Sequence, residues 1–166
     1  MIKNDGFLII ELVIYLFITS IITVLLFNIF KFSINTFSKT EANVEIQQQA
    51  QFLKELIEDR VQRSKGIDSI INVNGQRVNV RNFKKGQIRE IRLAQNDGLV
   101  GIYIDSKSKK MFLRTDMNYN GYEIGNYVNK MEIENVENGK GITFILQIQK
   151  KDEIFDLEFT SYFRNN

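Results

Sequence analysis

The first part of the chain is a long apolar segment. It runs from Phe7 to Phe30 and holds a single charged residue, Glu11. A helix over these residues, at about 1.5 Å rise per residue, spans the roughly 30 Å hydrocarbon core of a bilayer. The segment ends in Phe30-Lys31-Phe32 without a small-x-small cleavage site, so we expect no cleavage after it. The pattern predicts one membrane-spanning helix over residues 7–30.

After the apolar segment the pattern becomes amphipathic. Apolar residues recur at spacings of three and four, most charged residues fall outside their stripe, and no glycine or proline interrupts the chain before Gly66. This predicts that the same helix continues over residues 31–65, with Gly66 as its C-cap. A short coiled coil is the alternative, but we favour packing against a sheet. The stripe consists of Ile46, Ala50, Leu53, Ile57 and Val61.

From Ile67 onward, short segments alternate apolar and polar residues between clusters of glycine, asparagine and lysine, which is typical of antiparallel strands. The clearest pair, Ile142–Gln149 and Ile154–Phe163, is joined by a predicted turn at Lys150-Lys151-Asp152. We expect the amphipathic helix to cover the apolar face of this sheet, so the predicted fold class is α+β, with residues 66–166 as the sheet domain. The other predicted strands are Arg77–Phe83, Ile88–Ala94, Leu99–Ile104, Lys110–Thr115 and Val128–Val136.

Composition excludes several classes of function. The chain has no cysteine, no histidine and no proline, so disulfides, a His/Cys zinc site and a histidine-based triad are excluded. No pair of carboxylates stands in the apolar surroundings that a catalytic acid–base dyad requires. We therefore expect a protein that is not an enzyme and has no cofactor.

Glu11 is the feature of the apolar segment that most needs an explanation. A carboxylate inside a membrane helix costs roughly 2.5–3.5 kcal/mol on insertion scales, so we expect Glu11 to have a partner. The alternative is an interfacial residue of a plain membrane anchor, close enough to water to be solvated. A short polar leader, Met1–Gly6, precedes the segment and ends in glycine.

The leader and the spacing Gly6-Phe7-x-x-x-Glu11 resemble the precursors of type IV pilins and pseudopilins. The resemblance implies that a dedicated prepilin peptidase cuts between Gly6 and Phe7 on the cytoplasmic side and N-methylates Phe7. It also implies that Glu11 pairs with the terminal amine of a neighbouring subunit. Two features depart from the family: the leader has only Lys3, offset by Asp5, and the helix lacks the kinking proline of many major pilins.

The order of the strands extends this resemblance to the minor pseudopilins of the J type and of the competence F type. It is carried by Gly101–Asp105, Met111–Thr115, a polar glycine-bearing loop, Val128–Glu134 and a terminal hairpin that ends at Asn166. The resemblance implies a minor subunit of a type IV filament machine, which serves competence DNA uptake, a type IV pilus or a type II secretion-like system.

The same resemblance implies partners and a location. The partners are other pilin or pseudopilin subunits, the prepilin peptidase, an inner-membrane assembly platform and membrane lipid. The location is the cytoplasmic membrane, crossed once, with the N-terminus inside and the C-terminal domain outside, and the cell surface when the subunit is assembled. The alternative function is a membrane-tethered extracytoplasmic sensor or ligand-binding module, which would keep Met1 where a filament subunit begins at methylated Phe7.

A short polar segment resembles half of a calcium-binding loop. Oxygen ligands alternate before Gly121, as in such loops, but Tyr127 stands where the closing glutamate belongs. A turn rich in asparagine and glycine has the same composition without an ion, and we favour this turn. The calcium candidates are Asp116, Asn118, Asn120 and Glu123.

Basic residues gather around Lys84-Lys85 and again over residues 107–114, which raises the question of nucleic-acid binding. The chain has 22 Lys and Arg against 20 Asp and Glu, a net charge of +2. Because the charges nearly balance, a solvated surface is favoured, and we do not expect direct DNA binding.

Overall fold

The computed structural model describes residues 5–116 and 118–164, except the side chains at positions 5–7, 118, 119 and 138. A helix of 58 residues, α1 (Asp5–Gln62), is followed by a nine-stranded antiparallel sheet. This confirms the predicted α+β class, with a long N-terminal helix packed on a C-terminal sheet, and it is consistent with a pilin-like fold. The strands are β1 (Ser64–Asn72), β2 (Arg77–Val78), β3 (Lys85–Gln95), β4 (Gly98–Asp105), β5 (Lys110–Thr115), β6 (Asn118–Gly125), β7 (Val128–Val136), β8 (Gly141–Lys150) and β9 (Glu153–Tyr162).

The chain divides into two compact units, residues 1–41 and residues 42–166. The described part of the first unit is the N-terminal part of α1 alone. The second unit contains the rest of α1 and the whole sheet.

In the second unit, α1 buries the apolar stripe that the sequence predicts. All five residues of the stripe are at most 2% exposed, and Ala42 extends the buried face by one further turn. The helix lies close to the sheet, since a Cβ added at Gly125 would stand 2.9 Å from a methyl carbon of Leu53. The prediction that the amphipathic part of the helix packs on the sheet is confirmed.

The helix ends earlier than predicted, and Gly66 is not its C-cap. Helix α1 stops at Gln62, and Gly66 lies in β1, where it pairs with Ala94 of β3. The last carbonyl groups of the helix have other partners: Ser64 Oγ donates to Arg60 O at 2.6 Å, and the backbone N–H of Arg164 donates to Gln62 O at 3.3 Å. Local capping signals predict that residues 64–66 belong to the helix end, but Ser64 and Gly66 pair with β3 instead.

The sheet follows the order β6-β5-β4-β3-β7-β8-β9, with β1 paired to β3 and β2 paired to β1. Strand β3 joins the two halves of the sheet, β1, β2 and β4–β6 on one hand and β7–β9 on the other. Its residue Ile88 pairs with both Asn72 of β1 and Met131 of β7. At one end of this path, β9 pairs with β8 at every position from Glu153 to Tyr162.

The β8–β9 hairpin has the alternation that the sequence predicts. Its inward side chains on β8 are fully buried, and the Phe144 and Phe159 rings stack with centroids 5.5 Å apart. On β9, Phe155 and Leu157 pack against the same core, while Asp156 between them is exposed. The predicted turn lies at residues 151–152. The fully buried residues of β8 are Ile142, Phe144, Leu146 and Ile148.

Two strands were not predicted, and one predicted strand is much shorter. Strand β1 was missed, and β6 lies where a polar loop was expected. The predicted strand Arg77–Phe83 ends at Val78, because the Asn79 side chain accepts a hydrogen bond from Arg81 N at 3.0 Å and starts a 3₁₀ turn, Val80–Asn82. Local side-chain chemistry interrupts that strand, and pairing with neighbours creates the other two.

Candidate assembly site on the N-terminal helix

The apolar side chains in the N-terminal part of α1 are exposed. From Leu8 to Phe37 the large apolar side chains are between 45% and 72% exposed. Part of this helix is long and apolar enough to cross a membrane, and among the described residues it is the one such segment. Apolar area of this extent on a single helix needs lipid or other helices around it.

Glu11 is the one charged residue between Leu8 and Phe30, and it is partly buried. Its nearest partner is in its own helix: the Tyr15 hydroxyl donates to Glu11 Oε1 at 3.1 Å. The ion pairs found among the described residues all lie beyond residue 44, so none of those residues supplies a cation to Glu11.

Two hydroxyl groups farther along the helix are satisfied locally. Ser20 Oγ donates to Phe17 O at 2.7 Å, and Thr23 Oγ1 donates to Thr19 O at 2.8 Å. Such bonds to the carbonyl one turn back need no partner outside the helix. An ionised carboxylate has about four acceptor positions, and the Tyr15 hydroxyl occupies one. Glu11 is therefore the charged group of this segment, and most of its hydrogen-bonding capacity is unused among the described residues.

The predicted processing site lies at the start of the described helix. The backbone of Gly6 and Phe7 is helical, whereas residues 1–4 of the predicted leader lie outside the described residues. Cleavage between Gly6 and Phe7 and methylation of Phe7 remain predictions.

The calcium candidates are spread over separate interactions. The Asp116 carboxylate accepts a hydrogen bond from Leu99 N at 2.8 Å, and Glu123 accepts one from Lys110 Nζ at 2.6 Å. The hydrogen bond from Lys110 holds the pKa of Glu123 below its usual value. In residues 5–116 and 118–164, no group of three or more His, Cys, Asp or Glu side chains is placed to hold a metal ion.

Asn118 and Asn120 lie on strand β6 and not in a calcium-type loop. The backbone oxygen of Asn120 accepts a hydrogen bond from the Tyr103 hydroxyl at 3.0 Å. The segment is therefore engaged in pairing and packing on the sheet.

Several of the predicted basic residues pair with acids. Lys85 Nζ lies 3.1 Å from Glu134 Oε2, and Arg92 Nε lies 2.6 Å from Glu90 Oε1. The hydrogen bond and charge of Glu134 raise the pKa of Lys85 above its usual value. Lys110 and Arg114 also lie within 4.0 Å of an acid, so ion pairs offset part of the basic surface. The absence of direct DNA binding stays a prediction.

The fold and this helix define an α+β protein with one candidate membrane-spanning segment among its described residues. Comparisons of the chain with protein-family models, with curated proteins and with solved structures gave no match.

Proposed function

We propose that this protein is a minor pilin or pseudopilin subunit of a type IV filament machine, which assembles through its N-terminal helix after removal of the leader Met1–Gly6. One observation carries the proposal: α1 exposes a membrane-length apolar segment with Glu11 inside it, and the same helix continues into the buried stripe of the sheet domain. The N-terminal part of such a helix is suited to contact lipid or other helices, and its C-terminal part packs on its own sheet domain.

The physical argument concerns what drives helices together in lipid. Lipid tails are as apolar as leucine, so apolar burial alone gives little preference for helix contact over lipid contact. A carboxylate supplies that preference, because it forms an ion pair with a cation on a neighbouring helix, and such a pair is strong in a medium of low dielectric constant. Cleavage after Gly6 would create such a cation at the Phe7 amine, and methylation would keep it charged.

The pairing would also fix the register of the helices. A neighbour displaced along the axis would leave Glu11 and the Phe7 amine of the next subunit unpaired, and an uncompensated buried charge costs about 3–5 kcal/mol. In this proposal the leader lies in the cytoplasm and the sheet domain lies outside. The partners are other pilin or pseudopilin subunits, the prepilin peptidase and the assembly platform.

The test is the identity of the mature N-terminus. The protein is purified from membranes of cells that contain an active prepilin peptidase, and the N-terminal peptide is analysed by mass spectrometry. We expect a peptide that begins at Phe7 and carries the mass of one added methyl group. A matched sample from cells lacking the peptidase should retain residues 1–6.

An intact leader in the cells with active peptidase would contradict the proposal. That result would favour the membrane-tethered sensor, because a tether needs the apolar helix but no new terminus.

A further inference from the structure

Strand β9 is a long and regular edge of the sheet. Within the part of the chain that the structure describes, it pairs only with β8, at each of the positions from Glu153 to Tyr162, and the ladder has no register shift. The other end of the strand path differs, since the β6 ladder with β5 contains two register shifts. Bulges of this kind twist an edge away from further pairing. In the described part of the chain, β9 is therefore the edge best suited to accept another strand.

Acids are the one kind of edge protection that β9 has. Sheets limit pairing at their edges with proline, charged side chains (lysine above all), inward-pointing charges or bulges. The sequence of β9, Glu153–Tyr162, contains no proline, lysine or arginine. Its inward positions after Glu153 are apolar or small, and the Glu153 carboxylate accepts a hydrogen bond from Asn43 Nδ2 at 3.2 Å. The acids of β9 therefore oppose pairing with an acidic strand but not with a basic one.

The outward face of β9 has a definite chemical pattern. Apolar side chains stand at its two ends, with Ile154 55% exposed and Tyr162 49% exposed. Two acids, Asp156 and Glu158, and the hydroxyl of Thr160 stand between them on the same face. The strand carries three acids and no base, because Glu153 adds to the two outward carboxylates.

Strand β8 holds part of this face in place without neutralising it. Gln147 Nε2 donates to Asp156 Oδ1 at 3.2 Å, and the Thr143 and Thr160 hydroxyls lie 2.8 Å apart. Among the described residues, no ion pair within 4.0 Å involves Asp156 or Glu158, and the charge of Glu158 is the smallest of the causes that raise the pKa of Lys85. The lysine that ends β8, Lys150, already pairs with Glu45 of the helix.

We propose that β9 is a docking edge for an extended basic segment of another protein, which adds to the sheet as a further strand. Main-chain hydrogen bonds would supply affinity that does not depend on the ligand's sequence, and alternate side chains would supply the specificity. Since side chains repeat every second residue on one face, the ligand carries lysine or arginine at two alternate positions opposite Asp156 and Glu158. Apolar residues at the ends of the segment cover Ile154 and Tyr162. This surface is independent of the helix-mediated assembly proposed above.

The probe is a synthetic peptide, Val-Thr-Thr-Thr-Lys-Thr-Lys-Thr-Val, added to the full chain in a nonionic detergent. Its lysines face Glu158 and Asp156 when it pairs antiparallel to β9, as all strands of the sheet do. Two control peptides separate charge from strand addition. In one, both lysines are replaced by glutamate. In the other, the threonine between the lysines is replaced by proline, which keeps the charge but removes a main-chain donor. Binding is measured by fluorescence anisotropy, and amide hydrogen exchange is measured across residues 153–162.

We expect the lysine peptide to bind and to slow exchange in β9, and each control peptide to bind at least about tenfold more weakly. The variant D156K/E158K should lose affinity by about tenfold or more, and the neutral variant D156N/E158Q by less. The matched control is Asp97→Lys, which reverses an exposed acid in the turn before β4 and should bind as the wild type does.

Three results would overturn the inference. The first is equal binding of the proline and threonine peptides, which would show adhesion by charge alone. The second is equal binding by wild type and D156K/E158K while both remain folded by circular dichroism. The third is a disulfide between single cysteines placed at Thr160 in two copies without peptide, which would make a second copy the occupant. The chain has no native cysteine to confuse that measurement.

Discussion

The Tyr15 hydroxyl donates a hydrogen bond to Glu11 Oε1 at 3.1 Å, across one turn of a helix whose surrounding side chains are apolar and exposed. Residues four apart lie on the same face of a helix, so the phenol and the carboxylate face the same neighbours. The bond occupies one acceptor position and leaves the others for a group from outside the chain. The pair therefore gives the proposed assembly site an orientation as well as a charge.

Replacement of the carboxylate should impair assembly but not insertion. Glu11→Gln keeps the size of the side chain and removes the charge that would pair with a neighbouring amine. We expect normal amounts in the membrane and a loss of about tenfold or more in the sheared filament fraction, measured by blotting. Glu41→Gln, a change to an exposed acid farther along the same helix, is the control and should assemble normally. Equal incorporation of Glu11→Gln and wild type would refute the role of Glu11 in register.

Removal of the Tyr15 hydroxyl should have a smaller effect that depends on Glu11. Tyr15→Phe deletes one hydrogen bond, which corresponds to about a fivefold loss in the filament fraction. In the Glu11→Gln background the same change should add little, because the charge-assisted bond is already lost. Tyr122→Phe, on an exposed tyrosine of the sheet domain, serves as the control. Independent, multiplicative losses would contradict coupling of the two side chains.

Two adjacent helix residues should differ sharply in their effect on stability. Leu53 is fully buried, whereas Phe52 is 51% exposed. Leu53→Ala leaves a cavity and should lower the free energy of unfolding by about 2–5 kcal/mol. Phe52→Ala should lower it by less than about 1 kcal/mol. The measurement is denaturant unfolding of the full chain in nonionic detergent, and equal losses would contradict the observed packing.

A methyl group at Gly125 should strain the contact between the helix and β6. The added Cβ would lie 2.9 Å from a methyl carbon of Leu53, which is too buried to move freely. Gly125→Ala should therefore destabilise the domain by about 1–3 kcal/mol. The smaller side chain in Leu53→Val should recover part of this loss in the double variant. A purely additive double variant would show that the two positions do not share the contact.

Acid should lower the stability of the domain by weakening the hydrogen bonds in the turn after β4. Ser108 Oγ donates to Asp105 at 2.6 Å and Lys107 N donates at 3.2 Å, and these bonds hold the pKa of Asp105 below its usual value. A lowered pKa in the folded state gives stability that is present above the unfolded pKa and is lost as the pH falls through the folded pKa. We expect Asp105→Asn and Ser108→Ala to flatten the stability profile below about pH 4, measured by urea unfolding. A profile identical to wild type in both variants would contradict this role.

The sequence was most informative where one periodicity holds over many residues. The stripe from Ile46 to Val61 and the alternation of β8 and β9 were predicted because a single buried face imposes each pattern. The location of Glu11 in an apolar segment was equally visible. Its partner Tyr15 was overlooked, although an acid and a phenol four residues apart on a helix give a detectable signal.

The missed elements depend on distant pairing. Strand β1 pairs with β3 through three register irregularities and contains Gly66, so it has no clean alternation. Strand β6 is rich in asparagine and glycine, which predicts a turn, yet it pairs with β5 around Gly121, whose φ is +74°. The open edge at β9 could not be predicted from the sequence either, because no local pattern determines the order of strands in a sheet.

The hydrogen bond from Arg164 N to Gln62 O has a consequence for the order of folding. It joins the end of the helix to a residue that follows the last strand, so nine strands lie between its two partners in the sequence. Contacts that span so much of the chain form slowly compared with local ones. We therefore expect the end of the helix to become fixed late, after hairpins such as β8–β9 have paired.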